Sequence, residues 1–266
     1  MKRVIFNQKG GVGKTSISCN LAAISAWKGY KTLLIDLDIQ GNSSEYLIGE
    51  QFRDLEDNAA SFFKHKMSLF GKKRDAGDVV YRTEFDNLFL MPSNPELALI
   101  ERELETRHKI YRLRDGLQEL QKEYDHIYID TPPALNFYSR SALIAADSLV
   151  IPFDCDSFSQ GALLGLLDTV DELRDDHNPD LVLEGIVVNQ FQSQASLPQQ
   201  LIESLHADNL PVFEQYLNSS VKMKESRSRQ IPLIYMAPTH KLTQQLVSLH
   251  DSLDTAAAAR QSARSA

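Results

Sequence analysis

The chain reads Asn7-Gln8-Lys9-Gly10-Gly11-Val12-Gly13-Lys14-Thr15-Ser16 close to its first residue. A short β-branched and aromatic run, residues 3–6, precedes this stretch, and an apolar segment with helical spacing, residues 17–26, follows it. A strand, a glycine-rich turn and a helix in this order form the usual context of a phosphate-binding loop. The glycines let successive backbone N–H groups converge on an anion, and the helix N-terminus adds partial positive charge.

The side chains at the end of this loop predict what it binds. Lys14 would reach the β- and γ-phosphates of a nucleoside triphosphate, and the Thr15 hydroxyl would bind Mg²⁺. The alternative is a glycine-rich turn that carries two solvated lysines. The register of strand, glycines, lysine, threonine and helix argues against that alternative.

The loop departs from the ordinary phosphate-binding motif at two positions. Gln8 stands where that motif has glycine, and Lys9 comes directly before the glycine pair. The resulting Lys-Gly-Gly-x-Gly-Lys-Thr pattern resembles the deviant Walker A motif of the ParA/MinD superfamily of P-loop ATPases. In that family the additional lysine reaches across a dimer interface to the partner's phosphates. The resemblance therefore implies ATP as the nucleotide and a catalytic role for Lys9 beside Lys14. It also implies contacts to the nucleotide from the whole loop: Lys9, Gly10, Gly11, Val12, Gly13, Lys14, Thr15 and Ser16.

Two carboxylates end the next predicted strand, residues 32–38. Its continuous apolar run is typical of a parallel strand buried on both faces. Ligands bind at the carboxyl ends of such strands in open α/β sheets, so Asp36 and Asp38 should lie near the loop. One carboxylate can hold a magnesium-bound water and the other can orient the attacking water. Residues 36–42 resemble the Walker A′ motif of ParA proteins, with Ile39 in place of the usual proline. By this resemblance Asp38 orients the water and Asp36 belongs to the metal shell, whereas two aspartates that cap a strand–helix turn are the alternative.

A third motif runs His-Ile-Tyr-Ile-Asp-Thr-Pro-Pro over residues 126–133. An apolar strand that ends in aspartate is a Walker B pattern, and Asp130 would hold Mg²⁺ through water. The Pro-Pro turn resembles the switch II segment of the family, and its stiffness suits a loop that responds to the γ-phosphate.

Two further positions fall where the family recognises adenine. Asn189 ends the predicted strand over residues 181–189, and an asparagine side chain can pair with the donor and acceptor edge of a base. Pro211 falls where the resemblance implies a second base contact. A polar residue at a strand end remains the alternative for Asn189.

Residues 221–232 resemble a family segment that contributes to non-specific DNA binding by the ATP-bound dimer. Four basic residues occur within eight positions of this acidic chain: Lys222, Lys224, Arg227 and Arg229. Contacts to backbone phosphates need only lysine and arginine. The arginine that often precedes this segment is absent, since Asn218, Ser219 and Ser220 stand there. An exposed basic helix edge is the alternative.

The composition limits the remaining classes. The 266 residues are 42% hydrophobic and 24% charged, which predicts one ordered domain over residues 1–254 and a flexible Ala/Arg tail over residues 255–266. A net charge of −8 argues against a generally basic nucleic-acid binder but leaves room for a local patch. Two cysteines fit a reducing cytosol, and neither a signal peptide nor a membrane span is predicted.

These features together predict an α/β fold with a mostly parallel, twisted sheet flanked by helices on both faces. The resemblance covers residues 2–250 and implies a ParA-type, Mg²⁺-dependent ATPase in the cytoplasm, associated with the nucleoid. It implies an ATP-dependent sandwich homodimer that binds DNA non-specifically and positions a plasmid, chromosome or protein complex. A ParB-like or cargo adaptor partner would stimulate hydrolysis.

Three rival functions share the nucleotide motifs. A MinD-like switch anchored to a membrane or a protein needs bulky apolar residues in a C-terminal amphipathic helix, and residues 255–266 have none, so no membrane partner is expected. An iron-protein-like reductase needs cluster ligands that Cys19 and Cys155 do not match. A synthetase or phosphotransferase would leave Lys9 and the basic segment without a role.

Overall fold

The computed structural model describes residues 1–64, 76–155, 160–192 and 196–265. Its strands are β1 (Lys2–Ile5), β2 (Thr32–Asp36), β3 (Tyr81–Arg82), β4 (Leu88–Met91), β5 (His126–Asp130), β6 (Ser148–Asp154) and β7 (Val182–Asn189). Its helices are α1 (Lys14–Trp27), α2 (Asn42–Ile48), α3 (Ala59–Lys64), α4 (Leu97–Thr106), α5 (Arg112–Leu120), α6 (Phe137–Ala145), α7 (Gln160–His177), α8 (Ser196–Ala207), α9 (Val221–Arg229), α10 (Leu233–Met236) and α11 (Lys241–Ser265). α3 ends at Lys64, the last described residue before the gap over residues 65–75.

The strands form one sheet in the order β3-β4-β2-β5-β1-β6-β7. β3 runs antiparallel to β4, and the other neighbours pair in parallel. This confirms the predicted fold class. In the parallel register Asp130 lies opposite both Ile5 and Asp36, so the predicted loop and both strand-end carboxylates meet at one edge of the sheet.

Alternating strand residues build a separate core on each face of the sheet. Val4 and Phe6 pack on one face and Ile5 on the other, and the same alternation divides residues 33–35 and 127–129. Successive side chains of a strand point to opposite faces, so an apolar run covered by helices on both sides is buried throughout. The first core takes residues from α3 to α8, and the second takes residues from α1, α2, α10 and α11.

The end of the chain differs from our prediction of a flexible tail. α11 continues through residue 265. Alanines occupy residues 256–259, and alanine is the best helix former. Arg260 contacts Glu184 of β7, and Arg3 of β1 pairs with the same carboxylate, so the added turns are tied to the sheet. Among helices in the described part of the chain, none combines the length and apolar character needed to cross a bilayer.

Candidate nucleotide site

The loop between β1 and α1 has the backbone of an anion-binding turn. Gly11 and Gly13 adopt positive φ angles of 81° and 97°, which L-residues with a side chain rarely adopt. α1 begins at Lys14, so its unpaired N–H groups face the turn. The Asn7 side chain accepts a 2.9 Å hydrogen bond from the Lys9 N–H and donates one of 2.8 Å to a carbonyl of β6, which holds the loop on the sheet.

Asn189 closes one side of this loop. Its Nδ2 atom donates a 2.9 Å hydrogen bond to the Val12 carbonyl. A Cβ atom added at Gly13 would lie only 2.1 Å from the same Nδ2 atom. Glycine is therefore required at this position both by its φ angle and by the close approach of Asn189.

The loop forms one wall of a cleft of about 380 Å³, a volume within the usual range of small-ligand sites. The cleft brings together parts of the chain that are distant in sequence. Its predicted lining residues are Gly10, Gly11, Gly13, Lys14, Thr15, Ser16, Asp38, Asn189, Lys224 and Arg227. Residues that we did not predict also line it: Gln40, Asn42, Pro133, Gln190, Leu217, Asn218, Ser219 and Ser220.

Lys14 lies at the centre of the cleft with only 6% of its surface exposed. Its Nζ atom donates a 2.8 Å hydrogen bond to the carbonyl of Lys9. Burial lowers the pKa of Lys14, and the carboxylates of Asp130 and Asp38 oppose this shift. The ammonium therefore lies between the glycine turn and the strand-end carboxylates, where it could pair with a bound phosphate group.

Asp130 lies fully buried beneath the loop. It accepts hydrogen bonds from Ser43 Oγ at 2.6 Å and Ser18 Oγ at 3.1 Å, and the Thr15 side chain also bonds to it. Burial raises the pKa of Asp130, and these hydrogen bonds oppose the shift. The structure thus brings together Thr15 and Asp130, two of the three predicted metal-binding residues, and supplies the hard oxygen donors that Mg²⁺ prefers.

Asp36, the third predicted metal-binding residue, is used differently. Its Oδ2 atom accepts from the Ser44 N–H at 2.8 Å and the Ser44 Oγ at 2.7 Å, while its Oδ1 accepts from the Asp38 N–H at 3.1 Å. Burial, and then the neighbouring Asp130, raise the pKa of Asp36. These contacts occupy both oxygens of Asp36 and favour a positioning role, in which Asp36 holds the turn that carries Asp38.

Asp38 does reach the cleft, and 7% of its surface is exposed. Its Oδ1 atom accepts a 3.0 Å hydrogen bond from the Gln40 N–H, and its carbonyl accepts one of 2.5 Å from Ser93 Oγ. Burial raises the pKa of Asp38, whereas the Gln40 bond and Lys14 lower it. A carboxylate fixed in this way can accept a hydrogen bond from a water molecule in the cleft.

Pro211 does not line the cleft. Its carbonyl accepts a 2.7 Å hydrogen bond from the Ile186 N–H, beside Gly185. Because a strand rises about 3.3 Å per residue, this point lies roughly 13 Å before the carboxyl end of β7. The chain then follows β7 and reaches the cleft at residues 217–220. A base contact at Pro211 stays a prediction, and the residues that reach the cleft from this segment are those of the Asn-Ser-Ser turn before α9.

Gln190 was also missed, although it directly follows a predicted site residue. Its Nε2 atom donates hydrogen bonds to the Gly11 carbonyl at 3.1 Å and to Asp154 Oδ2 at 2.8 Å. The side chain thus connects the ends of β6 and β7 to the phosphate-binding turn. A glutamine after a strand is common, and only the contact across the sheet reveals this role.

The four basic residues of α9 fall on two different sides of the helix. At about 100° per residue, Lys222 and Arg229 lie within roughly 20° of each other, and Lys224 and Arg227 within roughly 60°. The two pairs are roughly 140–160° apart. Lys224 and Arg227 line the nucleotide cleft, whereas Lys222 pairs with Glu225 at 2.6 Å. The four basic residues therefore do not share one face of this helix.

Comparisons with known proteins agree with this geometry. Residues 2–183 match a family model described as an AAA domain. The chain is 37% identical over 232 residues to the chromosome partitioning protein ParA of Myxococcus xanthus. The aligned residues make up 86% of this chain and 79% of that protein. The chain belongs to the ParA/Soj family of partition ATPases. It is also 34% identical over 236 residues to the sporulation initiation inhibitor protein Soj of Bacillus subtilis, covering 88% of this chain and 90% of Soj.

Solved structures show the same fold as this ParA/Soj family member. Apo McdA from Cyanothece superposes with a TM-score of 0.82 at 24% identity, covering 95% of this chain and 98% of McdA. A TM-score of 0.81 at 23% identity is found for cobyrinic acid a,c-diamide synthase from Mycobacterium smegmatis with a bound ATP analogue and magnesium. The superposition covers 94% of this chain and 92% of the synthase. A chain of a partition ATPase family and a biosynthetic enzyme thus share one fold, so the fold alone does not select a function.

Proposed function

We propose that this protein is a Mg²⁺-dependent ATPase that closes into an ATP-bound homodimer, binds duplex DNA non-specifically and positions a cargo. The observation that carries the proposal is the convergence of Lys14, Thr15 and Asp38 on one cleft, with Thr15 bonded to the buried Asp130 and Lys9 at the start of the same loop. Membership in a family of partition ATPases supports the choice of ATP.

Residues of the loop would bind the nucleotide. The N–H groups of the glycine turn and of the first turn of α1 would donate to the phosphates, and Lys14 would exchange its bond to the Lys9 carbonyl for the β- and γ-phosphates. Thr15 and Asp130 would hold Mg²⁺, which supplies charge neutralisation to the phosphates when bound. The magnesium and nucleotide in the solved synthase are consistent with this donor set.

Asp38 would orient the attacking water. Its carboxylate lies in the cleft, and the Gln40 N–H fixes one oxygen and leaves the other for a second hydrogen bond. Lys14 would stabilise the negative charge that develops on the transferred group. Asp36 would act only by holding the Asp38 turn through Ser44.

Lys9 would act on the nucleotide of the partner. Its carbonyl is occupied by Lys14 and its N–H by Asn7, so its backbone is fixed, and its side chain is half-buried. A lysine supplied from across an interface would couple hydrolysis to dimer formation. A ParB-like or cargo adaptor protein would then stimulate hydrolysis and release the dimer.

DNA binding would use the side of α9 that faces away from the nucleotide. Lys222 and Arg229 lie on that side, and two protomers would together present four such charges to backbone phosphates. Lys224 and Arg227 line the cleft, so their substitution would disturb nucleotide binding as well. We therefore expect the two pairs to have separable roles.

The test is binding to non-specific duplex DNA with ATP, with ADP and without nucleotide, across a salt series. We expect binding only with ATP, and the Lys222→Ala/Arg229→Ala variant should weaken it while ATP affinity stays unchanged. The slope of log affinity against log salt should fall by about 0.9 for each lost phosphate contact, or by up to roughly 4 per dimer.

The matched control is Arg102→Ala/Arg107→Ala, which removes the same charge from exposed positions on α4 and directly after it. If the control variant loses as much DNA affinity, the effect of Lys222 and Arg229 is explained by net charge alone. If wild-type protein hydrolyses ATP but binds no DNA in any state, the DNA proposal is refuted and a MinD-like switch anchored to a membrane or protein takes its place.

A further inference from the structure

Three potential metal ligands meet at the end of the sheet opposite the nucleotide cleft. His126 is the first residue of β5, the strand whose last residue is Asp130. His250 and Asp254 lie four residues apart on α11, so their side chains project from the same face of that helix. One ligand atom from each of the three residues lies within 4.8 Å of the other two.

Two members of this cluster carry buried polar atoms without a partner. His250 is completely buried, and within the described part of the chain neither of its ring nitrogens makes a hydrogen bond. The Oδ1 atom of Asp254 is also buried and makes no hydrogen bond among those residues, although Arg3 lies within ion-pair distance of it at 3.9 Å, and Asp254 Oδ2 lies 3.4 Å from His250 Nδ1. Buried polar groups are nearly always satisfied by protein, water or an ion, so this concentration of unpaired atoms points to a ligand.

The ring of His126 is already held in place. Its Nδ1 atom lies 2.7 Å from Ser25 Oγ, and that hydroxyl lies 2.8 Å from Thr32 Oγ1. The ring of Tyr30 stacks on the imidazole with centroids 4.4 Å apart. These contacts leave Nε2 as the ring nitrogen for a metal, and a second hydrogen bond that orients the imidazole is typical of metal-binding histidines.

The surroundings favour the neutral imidazoles that a metal requires. His250 is fully buried and His126 is half-buried, so both rings lie largely away from water. The cations Lys28 and Arg3 are paired, since Lys28 contacts Asp251 and Arg3 contacts Glu184. Asp254 remains the carboxylate nearest to the two rings.

We infer that His126, His250 and Asp254 form a binding site for a divalent transition metal, with Zn²⁺ as the best match. Two imidazoles and one carboxylate suit Zn²⁺, whereas Mg²⁺ prefers the all-oxygen donors of the cleft. In a tetrahedral site with metal–ligand bonds of about 2.0 Å, the ligand atoms lie roughly 3.3 Å apart. The ligand atoms of this cluster lie within 4.8 Å of one another, so they would have to approach by up to roughly 1.5 Å. Asp254 keeps 23% of its side chain exposed, which gives the ion an entry path and leaves a position for water.

A metal at this position would join α11 to the amino end of β5. α11 packs directly against α1, the helix that follows the phosphate-binding loop, so the site would stabilise the closing helix without touching the nucleotide. The inference is independent of the proposed function, because it concerns residues at the other end of the sheet.

The test uses full-length protein without a histidine tag, treated with chelator and then dialysed against Zn²⁺. We expect one Zn²⁺ per chain by elemental analysis and a rise in melting temperature of roughly 5–10 °C at a hundredfold excess over Kd. Co²⁺ should give the intense visible absorption of a tetrahedral site, which an octahedral oxygen site in the cleft would not give.

His250→Leu fills the buried space with an apolar side chain, and Asp254→Asn retains the shape of the carboxylate in case the first variant does not fold. Both should lose the Zn²⁺, the Co²⁺ spectrum and the metal-dependent rise in melting temperature. His206→Leu, at an exposed position of α8, is the matched control and should retain all three. Absence of stoichiometric metal in the wild type, or undiminished binding in both cluster variants, would overturn the inference.

Discussion

Lys14→Met is expected to lower ATP hydrolysis at saturating ATP by at least about 10²-fold, the usual loss when one donor to a transition-state anion is removed. The Lys14 ammonium is 6% exposed and is held between the Lys9 carbonyl and the carboxylates of Asp38 and Asp130. Methionine keeps the length of the side chain but removes the charge. Phosphate release measures the effect.

Two controls separate this effect from a loss of folding. Lys122→Met removes a lysine from an exposed turn after α5 and should leave hydrolysis unchanged. The melting temperature of Lys14→Met should remain near that of the wild type, and its affinity should fall more for ATP than for ADP, because Lys14 reaches the γ-phosphate. Retention of activity within about tenfold of the wild type would contradict the role assigned to Lys14.

Asp130→Asn is expected to raise the melting temperature of the nucleotide-free protein while it abolishes Mg²⁺-dependent hydrolysis. Asp130 and Asp36 are fully buried at paired positions of β5 and β2, so each opposes the ionisation of the other. The partners of Asp130 are the hydroxyls of Ser43, Ser18 and Thr15. A hydroxyl can accept a hydrogen bond as well as donate one, so these groups can also pair with the NH₂ group of asparagine.

Removing the charge of Asp130 from this pair of buried carboxyl groups should stabilise the fold by about 1–2 kcal/mol, or roughly 3–6 °C for a chain of this size. Hydrolysis should fall by at least about 10²-fold because the carboxylate that would hold Mg²⁺ is gone. Scanning calorimetry and phosphate release give the two readouts. Asp86→Asn, at an exposed carboxylate paired with Arg82, is the control and should change neither. A lower melting temperature, or hydrolysis that still responds to Mg²⁺, would contradict this account of Asp130.

The fold and the loop were predictable because their signals are local. Apolar strands that end in aspartate, and a glycine turn followed by a helix, each lie within about ten consecutive residues of the sequence. Parallel pairing then places the carboxyl ends of β1, β2 and β5 together, so the convergence of Lys14, Asp38 and Asp130 follows from topology.

The remaining site features depend on contacts between distant residues. The roles of Asp36 and Gln190 depend on partners that no local pattern reveals, namely Ser44 and the Gly11 carbonyl. The course of the chain beside β7, which brings residues 217–220 and not Pro211 to the cleft, is not visible in sequence. The helical tail was missed because its alanine content was interpreted as a lack of packing, although Arg260 anchors it to Glu184.

The nucleotide site by itself does not distinguish a partition ATPase from a biosynthetic enzyme of the same fold. Lys9 makes that distinction, since its proposed role requires a second protomer, while the rest of the cleft is complete within one chain. The central claim is therefore that ATP drives dimer formation and that Lys9 is needed for it.

Sedimentation of the slowly hydrolysing Asp38→Asn protein, with ATP, with ADP and without nucleotide, tests this claim most directly. The account predicts a dimer with ATP and a monomer in the other two states. It also predicts that Lys9→Met in the same background remains monomeric with ATP while its ATP affinity stays measurable. A monomer in all three states, or a dimer that forms equally well with Lys9→Met, would contradict the account.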